Sequence, residues 1–164
     1  MDQIADKKDI NLEIFKLEYL DLIKEKISAL ALFDDTVIVG DEHGTAKLYT
    51  LSTKNKQISF EKGKEENLGK NKIENIICID SLHVAFFLAG QKIYIYTMPG
   101  LTNRNPKEKS NEQIIRIANN LHKDHLNEIL IVTKKKKIKI LSDAELYRNR
   151  VVVVGNTYYL KSIV

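Results

Sequence analysis

A repeat of about 46 residues, short apolar runs punctuated by turn residues, and strand-like alternation within those runs together predict an all-β chain built as a partial β-propeller. Laid against itself, the chain reads ISALALFDDTVIVGDEHGTAKLYTL at 27–51 and IENIICIDSLHVAFFLAGQKIYIYTM at 73–98. Both stretches have an apolar run, an Asp at a turn (Asp34, Asp80), a second apolar run, a Gly, and an alternating run that ends in Tyr-Thr-Leu or Tyr-Thr-Met. A third, weaker copy, EILIVTKKKKIKIL at 128–141, keeps the second apolar run, the polar turn and the final alternating run. The spacing is 47 residues from Tyr49 to Tyr96 and 45 from Tyr96 to Leu141. Units of ~40–50 residues holding several short strands are propeller blades, because helical repeats of that length need amphipathic segments of ten or more residues.

The elements follow in order. Residues 12–26 fit a strand through the alternation of Phe15, Leu17 and Tyr19, or one helical face through Ile10, Ile14, Leu17 and the cluster 20–23; the alternation favours the strand. The first blade unit spans 27–54: Leu30 and Leu32, then Val37 and Val39, flank Asp34-Asp35, and Gly44 breaks the chain before Ala46 and Leu48. Lys54 to Lys72 is polar and reads as a solvated loop, with Gln57–Phe60 able to supply a short outer strand. The second unit spans 73–101, where Ile93 and Ile95 alternate with Tyr94 and Tyr96 between Gly90 and Pro99-Gly100. The continuous run Ile76 to Ile79 suits an inner strand covered on both faces. Thr102 to Glu112 reads as a second polar loop, broken at Asn105-Pro106. The third unit spans 114–146 and lacks a clear first strand, since Ile114, Ile115 and Ile117 run into the polar stretch 119–124. Two apolar runs, Val151–Val154 and Thr157–Leu160, flank Gly155-Asn156, a two-residue hairpin signal, so 150–164 is expected to start a fourth unit. About three and a half WD40-like blades result, within one domain covering 1–164. Leu30, Leu32, Val39, Tyr49, Ile77, Ile79, Ile93 and Ile95 are the expected core.

Composition narrows the function. The chain has 164 residues, 43% apolar and 29% charged, with 7 Gly and 2 Pro, the profile of a globular domain able to bury a sizeable core. Its longest apolar runs fall far short of the ~18 residues of a spanning helix, and its acidic start is unlike a secretory leader. One cysteine, Cys78, permits no internal disulfide, which suits a cytoplasmic setting. The net charge of +4 is uneven: 1–52 carries 6 basic and 11 acidic groups (6 − 11 = −5), and 53–164 carries 20 and 11 (20 − 11 = +9). Of the 26 basic residues 22 are Lys, and only Arg104, Arg116, Arg148 and Arg150 offer the bidentate fork that nucleic-acid readers favour. No interleaved stacking aromatics accompany them, so nucleic acid is not the expected partner.

Candidate chemistry resolves to bland readings. His122-Lys123-Asp124-His125 holds zinc-ligand residue types, but Cys78 and His83 lie in another unit and no finger spacing is met. Asp41-Glu42-His43-Gly44 sits where a blade needs a tight turn. No serine lies in G-x-S-x-G, Cys78 sits inside an apolar strand, and Gly69-Lys70 is followed by Asn71 rather than the hydroxyl residue of a phosphate loop. Catalytic residues, metal ligands and cofactor-binding residues are therefore all read as none. Lys134 to Lys137, with Lys139, is the sharpest charged feature. It reads as a solvated hairpin turn between Ile129–Val132 and Ile138–Leu141, with contact to anionic lipid as the functional alternative.

The pattern I-x-x-L-x-L-x-D-D-x-V-I-V-G with K-L-Y-T-L, Ile95-Tyr96 followed by Met98-Pro99-Gly100-Leu101, and the Ile129–Leu141 stretch resemble the citron homology (CNH) domain. The nearer likeness is to the N-terminal propeller of vacuolar-sorting subunits of the HOPS and CORVET tethering complexes and the related TGF-β-receptor-associated protein. That resemblance covers residues 15–160 and rests on apolar patterns and turns. It implies a non-enzymatic platform in vesicle docking, fusion or autophagy, cytoplasmic and peripheral on endosomes or vacuoles, binding a small Rab-type GTPase or fellow tethering subunits. Members of that family continue to a full propeller and then an α-solenoid, so the resemblance also implies an N-terminal portion of a longer protein. Its rivals are a regulatory CNH domain of a signalling kinase or exchange factor, an enzyme with its site at the propeller mouth, and a nucleic-acid binder.

Overall fold

The computed structural model describes residues 26–54, 57–104, 112–121, 124, 126–141 and 158–159. They form three four-stranded antiparallel sheets, each built from strands consecutive in the chain. The first holds β1 (Ile27–Phe33), β2 (Thr36–Asp41), β3 (Thr45–Lys54) and β4 (Gln57–Asn67). The second holds β5 (Ile73–Ile79), β6 (Val84–Ala89), β7 (Lys92–Thr97) and β8 (Thr102–Asn103), with a single 3-10 turn at Asp80–Leu82. The third holds β9 (Ile114–Asn119), β10 (Ile129–Thr133), β11 (Lys137–Leu141) and β12 (Tyr158–Tyr159). This is the all-β partial propeller the repeat predicts, and among the described residues no helix is long and apolar enough to cross a membrane.

The registers show that the internal repeat is structural. Tyr49 pairs with Val37, Tyr96 with Ala85 and Leu141 with Ile129, so the three positions spaced at 47 and 45 residues occupy one site in successive sheets. Turn chemistry repeats as well. Asp34 closes the first hairpin at φ 47°, in the left-handed region that Asp tolerates. Gly90 and Gln91 form a two-residue turn with φ of 55° and 65°, the backbone twist that right-handed strands require. In the three-residue turns after β2 and β10 the left-handed position is filled by Gly44 and Lys136 respectively.

In each sheet one face looks back to the preceding sheet and the other looks forward to the next. The forward face of the first sheet (Phe33, Ile38, Leu48) packs on the backward face of the second (Ile73, Ile76, Phe87, Tyr96). The forward face of the second (Ile77, Ile79, Phe86, Leu88, Ile95) packs on the backward face of the third (Ile117, Ile129, Ile131, Leu141). Every residue of β6 is buried, as a strand covered on both faces should be. Gly40 lets the sheets close: a Cβ there would lie 2.7 Å from Ile73 Cγ2. Polar clasps fasten the inner strands, with Ser28 Oγ donating to the Ile73 carbonyl (2.7 Å) and Asn75 Nδ2 to that of Ile117 (3.0 Å).

Four expectations are corrected. The polar stretch 54–72 is not mainly a loop, because β4 runs for eleven residues along β3; an outer strand is held by backbone bonds and can be charged, which also guards the edge. The third sheet has its first strand, β9, paired with β10 from Ile114 to Asn119. Tyr158 and Tyr159 pair with Ile138 and Lys137 as the outer strand of the third sheet rather than within a fourth unit; the segments 12–25 and Val151–Val154 lie outside the described residues. Of the expected core, Val39, Tyr49, Ile77, Ile79 and Ile95 are buried and Ile93 is half-buried, whereas Leu30 and Leu32 are exposed on the backward face of the first sheet.

Candidate functional site

Antiparallel order sends alternate turns to opposite ends of the sheets. One end gathers the β2–β3 turn, the β4–β5 connection, the β6–β7 turn and the β10–β11 turn. Contacts hold it together: Leu68 N donates to Gly44 O (2.9 Å), Ile114 N to Gln91 O (2.9 Å) and Lys134 N to Gln113 O (2.8 Å). The other end gathers Asp34-Asp35, the Asp80–His83 turn, Met98–Leu101 and the approach to β10. There Ser81 Oγ donates to Asn127 Oδ1 (2.5 Å), Met98 N donates to His83 O (2.8 Å), and the rings of Phe33 and His83 meet edge to face at 5.8 Å.

The charges divide accordingly. The first end presents Lys70, Lys72, Lys92, Lys134, Lys135 and Lys136, all exposed. Two acidic groups at this end are engaged: Asp41 Oδ1 accepts from the backbone N–H of His43 (2.8 Å) and Thr45 (2.9 Å), and Glu42 pairs with Lys26 at 2.9 Å, while Glu74 at the start of β5 is exposed. That bond to Lys26 holds the Glu42 carboxyl below its usual range. The opposite end presents Asp34, Asp35, Asp80 and Asp124, all exposed, and the half-buried Glu128. Among the described residues, the turns thus gather lysines at one end and aspartates at the other. The lysine turn was legible alone; its company was not, because Lys70, Lys72 and Lys92 reach it only through the fold.

Asp41 organises the turn in which Glu42 and His43 sit, and Thr133 repeats the device in the third sheet, accepting from the Lys137 N–H at 3.3 Å. Lys139 pairs with Glu112 and so is not part of the exposed lysine group. Among the described residues no three His, Cys, Asp or Glu side chains gather as a metal site; His122 and His125 lie outside them. Gly69 and Lys70 belong to the connection between the first two sheets.

Cys78 lies on the backward face of β5 beside the first core cluster. Burial, with Asp80 nearby, pushes its thiol up to about 12 from an ordinary 9.0. The folded state favours the neutral thiol, so this contribution to stability is complete below pH 9 and is lost as pH rises from 9 towards 12. The native thiol is therefore expected to resist a disulfide reagent at pH 8 and to react rapidly once urea unfolds the chain. Equal rates in both states would show that the first two sheets do not pack as described.

No family model matches the chain, and no curated protein does. Among solved structures it is similar to Sqt1 from Chaetomium thermophilum, with a TM-score of 0.60 at 12% identity over 77% of this chain and 32% of that one. It is similar to the Neurospora crassa Pan2 WD40 domain, with a TM-score of 0.55 at 12% identity over 82% and 37%. It is also similar to the computationally designed protein Ika4, with a TM-score of 0.54 at 16% identity over 78% and 74%. The chain spans about a third of the length of the Sqt1 structure. These likenesses show the fold, sheets of the WD40-type propeller.

Proposed function

We propose that this chain is a non-catalytic protein-interaction platform that rests its basic end on an anionic membrane and offers its acidic end to partner proteins. The observation that carries the reading is the separation of charge: six exposed lysines share one end, and four exposed aspartates share the other. The propeller frame supports it, because loops fixed on rigid sheets make binding surfaces. The resemblance to CNH domains of tethering subunits supplies the setting: cytoplasmic, peripheral on endosomes or vacuoles, with a small Rab-type GTPase or fellow tethering subunits at the acidic end.

Each lysine near an anionic surface is worth about 1 kcal/mol. Replacing Lys134, Lys135 and Lys136 with Ser is thus expected to weaken binding to phosphatidylserine vesicles by about 3 kcal/mol, or roughly a hundred-fold at low salt. The fold should persist, since exposed charges add only ~0–1 kcal/mol to stability. Cosedimentation read beside far-UV circular dichroism tests this, and unchanged vesicle binding by a folded variant would overturn the membrane arm. For the other arm, Asp34→Asn with Asp80→Asn should weaken capture of a GTP-loaded endosomal GTPase and leave vesicle binding unchanged. No preference for the GTP-loaded over the GDP-loaded form would overturn the tethering assignment.

A further inference from the structure

The basic end is not uniform, and backbone bonds single out one part of it. Gln113 and Ile114 run between two turns: the Ile114 N–H donates to the Gln91 carbonyl (2.9 Å) and the Lys134 N–H to the Gln113 carbonyl (2.8 Å). Hydrogen-bonded neighbours in a sheet lie about 4.8 Å apart, so two such steps set the backbone of Lys134 about 10 Å from that of Lys92, which follows Gln91. Two lysines on flexible four-carbon stems can close a gap of that width around one anion. The turn that carries Lys134, Lys135 and Lys136 is fixed twice over, by the Lys136 N–H to the Thr133 carbonyl (2.9 Å) and the Lys137 N–H to Thr133 Oγ1 (3.3 Å). Thr133 itself is buried.

Four lysines from two sheets thus flank one bridging segment, and all four are exposed. Among the described residues none of them forms an ion pair. Glu112, next to Gln113 in the chain, is engaged by Lys139. Glu74 stands on β5, with β6 between it and β7. The first sheet's side of this end differs: Glu42, whose carboxyl is held down first by its bond to Lys26 and also by Lys72, offsets part of the positive charge there. Uncompensated charge is therefore concentrated between Lys92 and the lysine turn.

The chemistry selects the anion. An ammonium group binds phosphate as a compact point charge. A phosphomonoester carries about −1.5 to −2 charge and three acceptor oxygens, so several of them on one ring match four cations on two turns. A phosphatidylserine headgroup, with a single net charge, meets one lysine at a time. We propose that Lys92 and the Lys134–Lys136 turn together seat the headgroup of a phosphoinositide bearing ring phosphates. The proposal rests on the membrane-facing reading of the basic end and names the lipid which that end reads.

Cosedimentation should show the chain binding vesicles that contain phosphatidylinositol bisphosphate about ten-fold more tightly than phosphatidylserine vesicles matched for total negative charge. On the bisphosphate vesicles Lys92→Ser and Lys134→Ser should each weaken binding about five-fold, and together by less than the product, because they share one partner. On phosphatidylserine the two losses should multiply. Lys70→Ser, outside the seat, should weaken binding to both vesicles alike. Soluble inositol trisphosphate should displace the chain from the bisphosphate vesicles, and sulfate at the same ionic strength should not. Circular dichroism should be unchanged in every variant, since all three positions are exposed. Equal binding to the matched vesicles, losses that multiply on both, or displacement by sulfate as effective as by inositol trisphosphate would overturn the seat and leave the membrane-facing end standing. Failure to bind either vesicle would overturn both.

Discussion

Phe87→Ala is expected to cost about 3–5 kcal/mol, the range for truncating a fully buried aromatic residue. Phe87 sits in the middle of β6, wholly buried, paired with Ile76 on one side and Tyr94 on the other. Its ring meets Tyr96 edge to face at 5.6 Å and an interplanar angle of 86°, an arrangement worth ~0.5–1.5 kcal/mol beyond the area it buries. It faces backward into the cluster that joins the first two sheets, so the cavity would open at their interface, where backbone-bonded strands have little freedom to collapse. Against a whole-domain stability of about 5–15 kcal/mol, a loss of this size leaves a marginal protein. Urea titration should show the midpoint falling sharply with little change in slope. Phe87→Leu should recover most of the loss. A Phe87→Ala midpoint within experimental error of the parent would mean that the two sheets do not share a core.

The strands were legible where alternation and turn residues coincide. Asp34, Gly44 and Gly90 mark reversals, and the apolar runs between them became β1, β2, β6 and β7. β4 was hidden because an outer strand needs no apolar face; it is defined by its bonds to β3, and a run such as Glu61 to Glu66 carries no pattern of its own. Leu30 and Leu32 stand exposed for a related reason. Alternation tells which residues share a face but not whether another sheet covers that face, and β1 belongs to the first sheet of the array. The turn signal at Gly155-Asn156 did not say which sheet would take Tyr158 and Tyr159, which pair with β11. The basic end could not be read at all from local sequence. Lys70 and Lys134 are 64 residues apart, and only the antiparallel order of three sheets sets them on one side.

Gly44→Ala should be the most damaging of the single-methyl changes at a turn. Gly44 has a φ of +84°, where a residue with a Cβ pays roughly 1–2 kcal/mol. The new methyl would also lie 2.5 Å from the carbonyl oxygen of Gly69 and 2.6 Å from that of Asn71. Both are backbone atoms of the connection from the first sheet to the second, so no side-chain rotation relieves the clash. That connection is itself tied to the turn by the bond from Leu68 N to Gly44 O. Overpacking of this kind costs about 1–3 kcal/mol. The sum, about 2–5 kcal/mol, is expected as a loss of unfolding free energy in urea. Two controls separate its parts. Gly100→Ala, whose Cβ would find its nearest neighbour at 3.8 Å and whose φ is not positive, should be close to neutral. Lys136 fills the matching turn position in the third sheet at φ 57°, so Lys136→Gly should gain the conformational part alone, roughly 1–2 kcal/mol. If Gly44→Ala lost no more than Lys136→Gly gained, the turn would not bear on the connection at all. The placing of Lys70 and Lys72 beside the other lysines, on which the membrane-facing end depends, would then fall with it.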